Sequence, residues 1–103
     1  MFMKLSKTCT IENPTGKNGF HSIVYGPPLT VACNYNLKHE IEDGSIILAF
    51  GWAVLPAGTP ISHDSRITVG GYQPQIILIK NVENYRTGAI EGIKLELGKE
   101  RGT

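Results

Sequence analysis

His63-Asp64-Ser65 brings the three residue types of a nucleophilic hydrolase into one tripeptide. A working relay needs nucleophile, base and orienting acid to converge on one another. Consecutive side chains in extended chain diverge, so the tripeptide reads as an Asp-Ser turn opening the segment at Arg66. His21, His39 and His63 lie far apart, without the paired spacing that zinc sites take. Cys9 and Cys33 follow neither a metal nor a redox spacing, and read as reduced thiols filling core space. Gly70-Gly71 leads into no helix with a following Lys and Ser/Thr, so it is not a phosphate loop. No catalytic, metal or cofactor constellation is expected.

Charged and aromatic residues offer binding chemistry instead. Glu40, Glu42 and Asp43 form the one acidic cluster, either a solvated turn or a loop facing a channel or partner. Lys4, Lys7 and Lys17 give the N-terminal segment a mild basic bias. Phe20, Tyr25, Tyr35 and Tyr72 would suit base stacking, but without interleaved Lys or Arg they read better as packing residues. Ten basic against nine acidic residues leave a net charge of +1, which excludes a global field for nucleic acid or membrane. The first seven residues lack the apolar run of a signal peptide, and no apolar stretch reaches membrane-spanning length.

These residues must be positioned by strands. Twelve Gly and six Pro in 103 residues imply many turns and an all-β domain with a modest core. Residues 66–69 alternate, Gly70-Gly71 suits a tight hairpin turn, and residues 75–79 are so apolar that both faces should be covered. Residues 8–12 alternate as a first strand, and residues 13–19 carry turn chemistry throughout. Residues 29–37 are the clearest strand, with Leu29, Val31, Cys33, Tyr35 and Leu37 on one face. Residues 38–44 read as a charged excursion ending in an Asp43-Gly44 turn.

Residues 45–55 are apolar on both faces, with Ile46, Leu48, Phe50, Trp52 and Val54 on the large one and a bend or bulge expected at Gly51. A domain of this size seldom covers both faces of so long a strand, so Phe50, Trp52 and Val54 are candidates for a subunit interface. Residues 90–97 close the fold with Ile93, Leu95 and Leu97 inward, and residues 98–103 read as a polar tail. Six expected strands in one domain, residues 1–103, suggest a small barrel or sandwich behind an extended N-terminal arm, residues 1–7.

The order of motifs resembles the small head–tail joining proteins of tailed bacteriophages, the head-closure or stopper group and related minor capsid proteins. Four features carry it: TCTIENPTG leading to Tyr25-Gly26-Pro27-Pro28; the Asp43-Gly44 turn into an apolar strand; Ile61, Asp64, Ile67, Val69, Gly70 and Gly71, similar to a D-x-I-x-V-x-G hairpin; and a strand ending at Val82 before Gly88 and a final alternating strand. The resemblance implies a structural, non-enzymatic virion protein of the neck, made in the host cytoplasm. It would form a homo-oligomeric ring between portal or adaptor proteins and tail or tail-terminator proteins, with genomic DNA passing through and retained. Glu40, Glu42 and Asp43 would then be lumen-facing, and Phe2, Lys4, Leu5 and Lys7 a docking arm. The segment between the second and third strands is shorter than the plug loop that the stopper branch often carries. A cytosolic β-barrel binding module for single-stranded nucleic acid is the alternative.

Overall fold

The computed structural model describes residues 5–17, 19 and 22–100, leaving aside the side chains of residues 42, 46–49 and 100. Among these residues the chain is all-β. The strands are β1 (Lys7–Glu12), β2 (Pro14–Lys17), β3 (Ile23–Tyr25), β4 (Leu29–Glu42), β5 (Ser45–Pro56), β6 (Arg66–Thr68), β7 (Pro74–Glu83) and β8 (Ile90–Glu100).

Six of them form one antiparallel sheet in the order β6-β1-β4-β5-β8-β7, and β2 pairs with β3 as a separate ribbon. The six-strand sheet curls into a half-barrel. Its two edge strands, β6 and β7, are consecutive in sequence, joined by Gly70-Gly71. The turn is closed by reciprocal Val69 and Tyr72 backbone hydrogen bonds of 2.9 Å each. Both glycines have positive φ, 56° and 85°, the backbone of a type I′ turn. Past that single bridge β6 and β7 part, β6 to pair with β1 and β7 with β8.

The core lies inside the curl. Cys9 and Ile11 from β1, Cys33 from β4, Ala53 and Leu55 from β5, Ile67 from β6, Ile76 from β7 and Ile93, Leu95 and Leu97 from β8 are buried together. The alternation foreseen in β8 holds, with Lys94 and Glu96 outward. Val31, Tyr35 and Leu37 pack on the core from β4, as their shared face requires.

Several boundaries differ from the sequence reading, each for a physical reason. Residues 14–17 are strand, not turn, because the ribbon with β3 satisfies their backbone. Residues 38–42 continue β4, since β5 pairs with them as far as Glu42–Ser45. Residues 98–100 likewise extend β8, with Glu100 opposite Pro74. The strand at 75–79 is not covered on both faces. As an edge strand β7 alternates, with Ile76 buried and Ile77 57% exposed.

The bulge in β5 falls at Ala49 rather than Gly51. Lys38 pairs with Phe50 and His39 with Leu48, so Ala49 is the extra residue. Gly51 serves another purpose. A Cβ there would stand 2.5 Å from the Asn36 carbonyl oxygen and 2.9 Å from Leu37 Cδ2, so only glycine allows β4 and β5 to approach so closely.

Candidate interaction surface: a projecting hairpin and an aromatic groove

The sheet's central pair is longer than its neighbours. β1 pairs with β4 only over Leu29–Cys33 and β8 with β5 only over Gly51–Pro56. Residues 38–50 therefore run on as a two-stranded arm whose outer edges have no strand beside them among the described residues. Asp43 and Gly44, at φ 51° and 78°, turn the arm back as a second type I′ hairpin.

The bulge changes how the arm's two strands face each other. Below it even-numbered residues pair, Asn36 with Trp52 and Lys38 with Phe50; above it His39 pairs with Leu48 and Ile41 with Ile46. Ile41 and His39 continue the face that carries Cys33, Tyr35 and Leu37, but past the edge of the core. Ile41 is accordingly 79% exposed. His39 meets the Tyr72 ring there, with centroids 5.0 Å apart.

On the opposite, outer face at the base of the arm lies a shallow groove of about 450 Å³. Phe50, Trp52 and Ile77 give it an apolar floor, with Lys38, Lys94 and Glu96 around them. Phe50 is 50% and Trp52 38% exposed. Lys38 Nζ stands 5.2 Å from the centre of the Phe50 ring and Lys94 Nζ 5.9 Å from that of Trp52. Lys80 joins the rim through a 3.9 Å contact to Glu96. The lysines come to the rings by cross-strand register, which no linear spacing displays.

Of the residues proposed from sequence as a subunit interface, Phe50 and Trp52 are exposed, whereas Val54 is not. It is only 5% exposed, set in register between Asn34 and Lys94. The segment entering β1 is tied to Asn34, whose Oδ1 accepts from the Ser6 backbone N–H at 3.1 Å. Val54 thus belongs to the interior of this chain. Glu40 and Asp43 are exposed at the end of the arm, and Glu42 is the last residue of β4 there; the three belong to a hairpin rather than a loop.

Of the candidate docking arm, Phe2 and Lys4 lie outside the described residues. Leu5 is half-buried, and Lys7 is already part of β1. The Lys7 ammonium donates to the Tyr35 carbonyl at 3.3 Å and sits 4.3 Å from the centre of its ring, so it is engaged within the chain. Tyr25 likewise has a cation, Arg66 at 4.2 Å, which Glu12 holds by two hydrogen bonds of 3.0 and 3.2 Å. These hydrogen bonds raise the Arg66 pKa further. Tyr25 and Tyr35, which looked free of interleaved cations in sequence, receive them from other strands, whereas Tyr72 meets the His39 ring and Phe20 lies outside the described residues.

His63-Asp64-Ser65 forms a turn, with the Ser65 N–H donating to the Ser62 carbonyl at 3.1 Å. Ser65, 1% exposed, donates its hydroxyl to Asn13 Oδ1 and accepts from the Ser62 N–H at 2.9 Å. Asn13 in turn donates to the Pro60 carbonyl at 2.9 Å. The serine is occupied by fastening the loop before β6 to the end of β1, while His63 Nδ1 faces the Ile76 carbonyl at 3.5 Å. Cys9 and Cys33 are free thiols buried in the core. Burial chiefly, then the neighbouring Cys33 sulfur, pushes the Cys9 thiol from 9.0 up to about 12.

No family model, curated protein or solved structure matches this chain.

Proposed function

We propose that this chain is a structural assembly subunit of a tailed-phage neck, forming a ring that joins the DNA-filled head to the tail. One observation carries the reading. The β4–β5 arm projects from the half-barrel with Ile41 79% exposed at its far end and Phe50 and Trp52 exposed at its base. A lone two-stranded hairpin is marginal in water. An arm of this kind gains its order by lying against another surface, as a subunit of a larger assembly does. The motif order described above supplies the identity of the assembly.

The experiment adds the purified chain to tail-less heads made without it. Binding to heads and restored tail attachment are the expected outcome. Heads that neither bind the chain nor regain tails would remove the reading.

A second reading, a module for single-stranded nucleic acid, draws support from the lysines standing over Phe50 and Trp52. Exposed rings with adjacent cations are what sequence-independent base stacking uses. Oligonucleotide binding that weakens steeply with salt and quenches Trp52 would favour this reading over the first.

A further inference from the structure

The arm and the groove are complementary in both shape class and charge. The far end of the arm carries an exposed Ile41 on its core-side face, Glu40 on the other face and an exposed Asp43 at the turn between them, while the groove has an apolar floor of Phe50, Trp52 and Ile77. Around that floor Lys38, Lys80 and Lys94 stand against a single carboxylate, Glu96. An acidic end with an apolar neighbour fits a basic rim with an apolar floor. Within one chain they cannot meet, because Lys38 and Phe50 form the base of the same hairpin whose other end is Asp43-Gly44.

We propose that the arm of one copy lies across the outer groove of the next copy, with Ile41 down on Phe50, Trp52 and Ile77 and the Asp43 turn among Lys38, Lys80 and Lys94. The surface brought by the arm is a continuation of the core-side face of β4. The surface that receives it is the outer face of the sheet. The arm and the groove are two different surfaces, so the contact runs head to tail around a ring or along a filament, as the assembly reading above requires, unless two copies exchange arms across a two-fold, the outcome that the cross-linking below separates from it. The inference deepens the assembly reading above and takes its setting from it, but the contact itself is testable without phage.

Two single variants, Ile41→Cys and Ile77→Cys, are mixed at high concentration and mildly oxidised, and the double variant is treated alone. Cys9 and Cys33 stay in place, being buried. The mixed singles should give a cross-linked pair absent from either alone, and the double variant a ladder of higher species. Asp43→Lys on the Ile41→Cys copy should lower the yield several-fold. Lys38→Glu with Lys94→Glu on the Ile77→Cys copy should bring it back. Near-ultraviolet circular dichroism checks that each variant is folded.

A double variant that halts at dimers overturns the heterologous contact. The absence of cross-link both in concentrated solution and on reconstituted heads overturns the docking altogether. A ladder from a chain that ignores heads leaves the interface standing and removes the neck reading. Head joining without the cross-link does the reverse.

Discussion

Cys9 shows how a single buried atom ties stability to solution conditions. Its thiol holds its proton up to about 12 in the folded chain, against 9.0 without burial. Between those values the unfolded chain loses the proton and the folded one keeps it, so stability falls as pH rises. Below pH 9 the contribution is fully present. Denaturant midpoints should be level from neutrality to about pH 9 and then decline toward pH 12, and Cys9→Ala should make the decline shallower, with the Cys33 thiol, also pushed up by burial, sustaining the rest. Native thiols should also resist labelling that the unfolded chain accepts at once. Gly51 is the other exacting position. A methyl group at 2.5 Å from the Asn36 oxygen has no room, so Gly51→Ala should cost about 1–3 kcal/mol in urea titrations as β4 and β5 are forced apart. Ser65→Ala should cost about 1–3 kcal/mol by leaving Asn13 short of a partner beside a buried turn.

Among the elements, the arm stands apart from the sheet that bears it. Replacing residues 39–49 by a two-residue Asn-Gly turn between the paired Lys38 and Phe50 should leave the half-barrel folded, because none of the described side chains there belongs to the core cluster. The thermal midpoint should change little while self-association is lost. In the intact free chain, amides of residues 39–48 should exchange faster than those of β8. The arm also marks the limit of what sequence reading reaches. Strands with one buried face were legible from alternation, as in β8, where Ile93, Leu95 and Leu97 turn inward. Both turns that need two positive φ angles, Asp43-Gly44 and Gly70-Gly71, were legible from residue type. The edge position of β7 was not, since a run of Ile and Leu looks the same whether a strand is central or peripheral. Nor was the bulge at Ala49, because register is set by the partner strand and not by local composition. The lysines over Phe50 and Trp52 were hidden for the same cause.

For the molecule as a whole, a curled sheet with a projecting arm is less compact than its length requires. The radius of gyration is 14.8 Å, against roughly 13 Å for a compact chain of this size. Small-angle scattering of dilute protein should show the larger value, and the variant without residues 39–49 should move toward the smaller. The sheet order has a further consequence, for the time course of folding. β6 and β7 are neighbours in sequence but occupy the two ends of the sheet. The hairpins β4–β5 and β7–β8 join residues close along the chain, whereas β1 must find β6 across more than half of it, Glu12 meeting Arg66. Closing large loops is the slow part of such a search, so the hairpins and the tight Val69–Tyr72 turn come first and the β1–β6 pairing is drawn shut last. Arg66, held by Glu12 through two hydrogen bonds, belongs to that late pairing. Disturbing it should hasten the opening of the finished sheet and leave the pace of its formation almost untouched.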